Sequence, residues 1–323
     1  MSLEADGNNI DKNIYVIRPI QYLALYLVDM KIVILSRNAA LYSTQSIVRA
    51  ARRRGHDVKV VDHMYADIHV ERNNLVVEYF GQRLDDVDAV IPRIGASATE
   101  YGAAVIRQFE GSGVFTTLKS SSLLNSRDKM RCLQILASNG IHIPRSAMTN
   151  NLSSVDRLLD IIGSVPWVIK LLVSTQGLGV VKAETRPTAK SIFESFYRLK
   201  QKALLQEYIG EAGGEDIRVL VIGGQIAASM SRKSAGGDFR SNLHRGGRST
   251  PVRLTSKEEA IARRVTRVLD LDVAGVDILR SKRGPLVLEA NASPGLEGIE
   301  TTTGIDISNK ILQLVERKVR QRK

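Results

Sequence analysis

Asp277-Ile-Leu-Arg-Ser-Lys-Arg-Gly-Pro-Leu-Val-Leu-Glu289-Ala-Asn291 decides how this chain is read. Two apolar runs rich in β-branched residues, 273–279 and 286–290, flank Ser281-Lys282-Arg283-Gly284-Pro285, whose Gly and Pro mark a turn. The stretch therefore reads as a β-hairpin. Side chains alternate along a strand, so Glu289 and Asn291 project to one side and Leu288 and Ala290 to the other, and strand pairing brings Asp277 toward the first two. Carboxylates are depleted from strands and costly to bury alone, so two acids and an amide oxygen at one spot call for a positive charge between them. Oxygen donors suit Mg²⁺ or Mn²⁺, and no Cys or His cluster offers a zinc alternative. A solvated sheet face carrying ordinary acids has the same spacing, and the hairpin alone does not separate the two.

Upstream, Lys170 stands alone in the apolar strand 167–172, followed by Val173-Ser174-Thr175-Gln176-Gly177-Leu178-Gly179 and a second strand at 180–184. Two glycines let backbone N–H groups turn toward an anion, and a mid-strand lysine reaches the same place; a lysine guarding a sheet edge is the other reading. Asn125 or Ser126 is expected to cap a helix running to about residue 138 and ended by Gly140, which puts Lys129 in its first turn. A phosphate docked at the helix start would explain a lysine there, as would simple solvation. A strand at 203–209 and another at 216–222, with Asp216 and Arg218 on one face, precede a long polar loop at 233–248, in which His244 stands beside an arginine and suits a phosphate or carboxylate clamp. A loop with Gly and Pro follows the hairpin at 292–300, and 307–319 reads as a closing helix.

The first part alternates strand, helix and strand at 31–35, 43–54 and 58–61, with Gly55 as the helix stop, the pattern of a parallel sheet with crossover helices. A strand at 89–91 delivers Arg93 to a carboxyl-end loop, where open α/β sheets bind ligands, so Arg93 is a candidate grip on an acidic substrate. No G-x-G-x-x-G follows the first strand and no Walker A motif occurs, which leaves dinucleotide and P-loop chemistry unsupported. The chain has 323 residues, 43% hydrophobic and 25% charged, an ordinary soluble composition with room for two or three packed units. Its 46 Lys and Arg against 34 Asp and Glu give a net charge of +12 and favour anionic partners. Aromatics at 5% show no interleaving with basic residues, against a dedicated nucleic-acid reader. The single Cys132 excludes a disulfide framework and reads as a buried small hydrophobe in a reducing compartment. Residues 1–29 carry more acids than bases, hold no apolar run long enough for a bilayer, and are expected to precede a domain that begins at Met30. The basic run 317–323 is expected to be a solvated, fraying tail.

Ile91-Pro-Arg-Ile-Gly95, Gly237-Asp-Phe-Arg-Ser-Asn-Leu-His-Arg-Gly-Gly247, Asp272-Val-Ala-Gly-Val-Asp-Ile-Leu-Arg280 and Asn291-Ala-Ser-Pro-Gly-Leu-Glu-Gly-Ile-Glu300 together resemble the RimK family of the ATP-grasp superfamily of carboxylate–amine ligases, over residues 30–319. The resemblance implies an α/β chain with α+β subdomains: an ATP-grasp fold behind a parallel α/β pre-ATP-grasp domain. The units would be 30–118, 119–203 and 204–323, with 1–29 as an extension outside the fold. It further implies a cytoplasmic α-L-glutamate ligase that adds L-glutamate to the C-terminus of small-subunit ribosomal protein S-six, with free poly-α-glutamate as a further product. ATP is the co-substrate with two Mg²⁺ or Mn²⁺ ions. A sibling ligase acting on a small-metabolite carboxylate is the alternative. A ribosome contact and a homo-oligomer are expected, with neither membrane nor sequence-specific nucleic acid as partner.

Carried over position by position, Lys129 and Lys170 would hold phosphates, and Ser174, Gln176, Gly177 and Gly179 would fold over them. Gln206, Glu207, Tyr208 and Ile209 would line the adenine, Asp216 would touch the nucleotide, and Arg240, Ser241 and Asn242 would complete that side. Asp277, Glu289 and Asn291 would hold the metals, Arg93 and His244 would serve the substrate, and Lys170, Arg218 and Arg240 would steady charge in the transition state. Replacing Asp277 or Glu289 by its amide is then expected to cost turnover far more than fold.

Overall fold

The computed structural model describes residues 29–72, 74–172, 179–234 and 247–322. The leader, residues 1–28, and the loop positions Ser174, Gln176, Gly177, Arg240, Ser241, Asn242 and His244 lie outside the described residues.

In chain order the elements are β1 (Lys31–Leu35), α1 (Tyr42–Arg53), β2 (Asp57–Val61), β3 (Ala66–Glu71), β4 (Asn74–Tyr79), β5 (Gln82–Arg83), β6 (Ala89–Pro92), α2 (Thr99–Gly111) and β7 (Phe115–Thr116). They continue with α3 (Ser120–Arg127), α4 (Lys129–Ser138), β8 (Ser146–Met148), α5 (Val155–Ile162), β9 (Trp167–Leu171), β10 (Val180–Ala183), α6 (Arg186–Arg198) and β11 (Ala203–Glu207). The last third holds β12 (Glu215–Ile222), β13 (Gln225–Lys233), β14 (Arg248–Pro251), α7 (Ser256–Val268), β15 (Val273–Ser281), β16 (Gly284–Asn291), α8 (Glu297–Thr303) and α9 (Ile307–Arg320).

The first sheet is parallel, in the order β2-β1-β6-β7, and β1 is buried from Ile32 to Leu35, as a strand covered on both faces must be. Helix α1 ends as the sequence predicts, with Gly55 at φ +81° just past its last turn. The meander β3-β4-β5 is an insertion between β2 and β6 that the periodicity does not announce. A second sheet, β10-β9-β11-β8, is antiparallel and has its own core of Trp167, Ile169, Phe193, Leu205 and neighbours. The third, β14-β13-β12-β15-β16, carries the hairpin. Its strands alternate: Ile217, Val219, Val276 and Ile278 join the core beneath α2, α4 and α7, which leaves Asp216, Arg218 and Asp277 on the opposite face.

Three expectations need correction. The helix carrying Lys129 is capped by Asp128, whose carboxylate accepts from Arg131 N at 3.0 Å; Asn125 and Ser126 belong to the preceding helix, where the Ser126 hydroxyl turns back to the Ser122 carbonyl at 2.7 Å. A carboxylate is the stronger cap, so it wins over its neighbours. The stretch after the hairpin is loop only as far as Leu296, and α8 begins at Glu297. The basic C-terminal run does not fray: Arg317, Lys318 and Arg320 form the last turn of α9, Val319 is buried, and the Arg322 guanidinium lies 5.1 Å over the Phe115 ring. Cations are favoured in a helix's final turn, which is why the charge concentrates there. Among the described residues no helix is long and apolar enough to cross a membrane, and Cys132 is buried as expected.

Helix α9 is bolted to the first sheet. Glu316 accepts from Arg54 Nε and Nη2 at 2.6 and 2.7 Å and pairs with His56 Nε2 at 2.9 Å. Burial pushes the Glu316 carboxyl up, but the Arg54 and His56 hydrogen bonds outweigh it and hold it below the usual carboxylate range. A carboxyl depressed in the folded state stabilises the fold above its ordinary value of about 4.3 and loses that contribution as pH falls through and below it. Glu316→Ala is expected to lower the unfolding free energy by about 2 kcal/mol at neutral pH. In urea titrations the gap between variant and parent should shrink as the pH drops below about 4.

Candidate functional site

The hairpin forms as read: β15 and β16 pair antiparallel with Asp277 opposite Glu289 and Gly275 opposite Asn291, and a bulge follows Asp277. The Asn291 side-chain amide donates to Glu289 Oε1 at 3.1 Å and reaches Asp277 Oδ2 at 3.5 Å. The three predicted ligands are therefore brought together. Two carboxylates and one amide, all capable of offering oxygen, form a donor set suited to a hard cation such as Mg²⁺. No group of three Cys, His, Asp or Glu stands as an alternative metal site among the described residues.

Asp277 also anchors a buried ion-pair network. It sits 2% exposed, with Arg218 Nε and Nη2 on its two oxygens at 2.7 and 2.6 Å and Arg232 Nη2 a further 2.9 Å from Oδ2. Arg232 in turn grips Asp216 with Nε and Nη2, both at 2.7 Å. Register explains the alignment: Arg218 faces Asp277 across β12-β15, and Asp216 faces Arg232 across β12-β13. Burial alone would raise the Asp277 carboxyl, but Arg218 and Arg232 reverse that and hold it at about 2. Arg232 is likewise penalised by burial, and Asp277 and Asp216 together raise its guanidinium above the ordinary value. Sequence reasoning passed over Arg232 and over Gly275, where a Cβ would stand 3.1 Å from Pro294 Cβ and 3.6 Å from Arg218 Nε. A lone glycine inside a strand was the available signal of that close approach.

The cationic side faces this cluster. Lys170 lies on β9, an inner strand, so the edge-lysine reading falls away. Its Nζ donates to Gln206 Oε1 at 2.7 Å, and Gln206 Nε2 donates to Ser146 Oγ at 2.9 Å. Burial lowers the Lys170 ammonium to about 8, assisted by the nearby Lys129 charge and opposed by Glu289, Asp277 and Asp216. Lys129 is the first residue of α4; its Nζ donates to the Leu172 carbonyl at 2.9 Å, and burial lowers it too, against the pull of Glu289. Arg127, unnoticed in the sequence, ends α3 half-buried, donates Nη2 to the Ile94 carbonyl at 2.8 Å, and is also within range of Glu289.

The remaining candidates scatter around this centre. Gly179 holds φ +66° and closes back on β9 through its carbonyl, which accepts from Leu171 N at 2.9 Å. Glu207 is held by Arg145 and Arg283, Tyr208 lies 5.4 Å beneath the Lys182 ammonium, and Ile209 is buried. Arg93 is not a free grip: its Nη2 donates to the Pro294 carbonyl at 2.5 Å, tying the first sheet to the loop behind β16.

The pairing pattern separates Asp277 from Glu289. Replacing Asp277 leaves the buried Arg232 and the partly buried Arg218 short of a partner, so Asp277→Asn is expected to cost fold as well as function, contrary to the sequence expectation. Arg232→Met is expected to lower the unfolding free energy by about 3 kcal/mol or more, and Glu289→Gln by less than about 1 kcal/mol, both read from urea midpoints. The lowered Lys170 ammonium gives a second expectation. Phosphate oxygens placed against it would restore its proton, so nucleotide affinity is expected to fall as pH rises above about 8, by at most about tenfold per unit. Calorimetry in buffers of different ionisation enthalpy should show proton uptake on binding near pH 8.

Comparison with known proteins bears directly on these features. Residues 30–123 match the RimK PreATP-grasp domain and residues 126–315 the RimK-like ATP-grasp domain. Probable alpha-L-glutamate ligase 2 of Shewanella denitrificans is 53% identical over 291 residues, which is 90% of this chain and 97% of that protein. The probable alpha-L-glutamate ligase of Pseudomonas aeruginosa is 51% identical over 288 residues, 89% of this chain and 96% of that protein. Among solved structures, the ATP-grasp ligase PsnB complexed with its minimal precursor superposes with a TM-score of 0.71 at 22% identity, covering 90% of this chain and 99% of that one. The same ligase with minimal precursor, Mg and ADP gives 0.69 at 21%, with 90% and 98% covered. The chain belongs to the RimK-like ATP-grasp family and is an ATP-dependent ligase.

Proposed function

We propose that this ligase joins L-glutamate by an α-peptide bond to an acceptor carboxylate, the acceptor being the C-terminus of small-subunit ribosomal protein S-six, with free poly-α-glutamate as a further product. The observation that carries the reading is the facing of two charge sets: Lys170 lies within electrostatic range of Glu289, Asp277 and Asp216, and Lys129 beside it within range of Glu289. Phosphate oxygens suit the first set and a hard cation the second, which is what phosphoryl transfer to a carboxylate requires. The names of the relatives support glutamate as the amine.

Glu289 and Asn291 would hold the divalent ions, with the Asn291 amide turned so that its oxygen faces inward, and Asp277 sharing its oxygens with Arg218. Mg²⁺ or Mn²⁺, once bound, supplies charge neutralisation on the phosphate oxygens. Lys129 and Lys170 would grip the phosphates from two different elements, Ser174, Gln176, Gly177 and Gly179 would fold over them, and Gln206 to Ile209 would border the base. An acceptor carboxylate oxygen attacks the γ-phosphorus; the new O–P bond forms as the bond to the ADP oxygen breaks, giving an acyl phosphate. The glutamate amine then attacks the acyl carbon, sheds a proton, and phosphate departs with the C–O electron pair. Arg218, locked in place by Asp277, and Arg240 stabilise the charge that grows on the transferring group. No protein nucleophile is needed. The cytoplasm, with ribosomes at hand, is the setting in which the basic surface meets these anions.

Intact-mass spectrometry tests this directly, using protein, ATP, Mg²⁺, L-glutamate and ribosomal protein S-six. A ladder of whole-glutamate additions is the expected result, lost in Glu289→Gln at saturating Mg²⁺. ADP release without any ladder would move the acceptor to a small-metabolite carboxylate or to glutamate itself, and full activity in Glu289→Gln would remove that residue from the metal site.

A further inference from the structure

The first sheet presents a second cationic feature beside the reaction centre. Strand β1 pairs in parallel with β2 and β6, and Leu35 lies level with both Val61 and Pro92. The residues that leave these strands therefore gather at one edge: Arg37 after β1, His63 after β2, and Arg93 to Gly95 after β6. The chain departs β1 toward β2 on one side and β6 on the other, so this edge is the topological switch point at which open parallel sheets take ligands.

That edge touches the site already described. Arg93 donates to the Pro294 carbonyl at 2.5 Å, three residues beyond Asn291, and Arg127 joins the Ile94 carbonyl at 2.8 Å to the surroundings of Glu289. Ser43 accepts from Leu296 N at 2.9 Å on the same side. Within the edge, Arg37 is exposed and has no carboxylate partner among the described residues, unlike Arg53 and Arg54, which are paired to Asp306 and Glu316. Its Nη2 lies 3.6 Å from where a Cβ on Gly95 would stand, which places the guanidinium against the turn Ala96–Ala98 that leads into α2. Next to it His63 is fully buried, and neither ring nitrogen has a hydrogen-bond partner. An exposed guanidinium without a carboxylate partner, at the switch-point edge of a parallel sheet and beside a buried imidazole, suits an anion with planar oxygens.

We propose that Arg37 holds a side-chain carboxylate of an acidic acceptor chain, upstream of the terminal carboxylate activated beside Glu289, so that an acceptor already ending in glutamates binds better than a neutral one. This rests on the glutamate-ligase reading above. An extended chain advances about 3.3 Å per residue, so successive glutamates bring a carboxylate to this edge without rearranging the reacting end. The residue sets acceptor preference and leaves the chemistry alone.

The test compares Arg37→Gln and Arg37→Lys with the parent, using the tripeptides Glu-Glu-Glu and Gln-Gln-Glu. Binding is read by anisotropy of N-terminally fluorescein-labelled peptide, and turnover by ADP release and product mass. Arg37→Gln is expected to weaken Glu-Glu-Glu binding and raise its KM about tenfold. kcat and the KM values for ATP and L-glutamate should hold, Gln-Gln-Glu should be unaffected, and Arg37→Lys should recover part of the loss. Unchanged affinity for Glu-Glu-Glu, equal losses for both peptides, a raised KM for L-glutamate, or a parent protein that binds neither peptide each overturns the proposal. Turnover by the parent without any dependence on Arg37 removes this subsite and keeps the ligase; Arg37-dependent binding without turnover keeps the subsite and removes the ligase reading.

Discussion

Everything at the centre of this protein hangs on the buried chain of charge Arg218–Asp277–Arg232–Asp216. Two carboxylates and two guanidinium groups alternate across three neighbouring strands, each acid satisfied by at least one bidentate arginine. Buried ions are tolerated only when paired and fully hydrogen-bonded, and this alternation achieves that without leaving net charge. With these four groups cancelling, the field felt by a ligand is set by what surrounds them: Glu289 on the hairpin, Lys129 and Lys170 across from it, and Arg127 between. The strand period supplies the rest, since the same residues that send Ile217, Val219, Val276 and Ile278 into the core must send the charged set to the other face.

The cores explain how the site is held in position. One apolar cluster runs from Val33 and Val90 through Leu123 and Leu136 to Val276 and Val287, and a second joins Ile34 and Ile47 to Leu220 and Val315. The first and third sheets thus share their interiors, and the Arg54–Glu316–His56 contact fastens their rims. The second sheet keeps an interior of its own, and the small cluster of Leu133, Leu172 and Leu204 bridges it to α4. Lys129 and Lys170 sit where these bodies meet, with Glu289 in range of both.

Much of this was legible in the chain. The hairpin at 277–291, the strand–helix–strand opening and the helix at 307–319 announced themselves because period-2 apolar runs, a Gly-Pro turn and a glycine stop are local signals. The family resemblance then supplied roles that spacing alone left open. What escaped was tertiary. Arg232 looks like any strand-end base until Asp216 and Asp277 are placed around it, and Arg127 reads as solvated until Ile94 and Glu289 arrive. The β3-β5 meander was hidden because β3 and β5 are largely exposed and show no sustained apolar face, with Phe80 at φ +51° and 71% exposed in the turn. Asp128 displaced Ser126 as a cap because a full negative charge competes better for a helix's first N–H groups.

The hydrogen bond from Lys129 Nζ to the Leu172 carbonyl spans the seam between the body formed by the first and third sheets and the separately cored second sheet. Lys170 stands on the far side of that seam, so on the function proposed above one phosphate would draw on both ammonium groups, and Lys129 would share its protons between phosphate and carbonyl. On that proposal nucleotide binding and the spacing of the two bodies would be coupled, because a phosphate held from both sides needs the two lysines at a fixed separation. Substitutions at Leu133, Leu172 or Leu204, none of which bears a reactive group, would register as changes in nucleotide affinity because they alter the resting width of that gap.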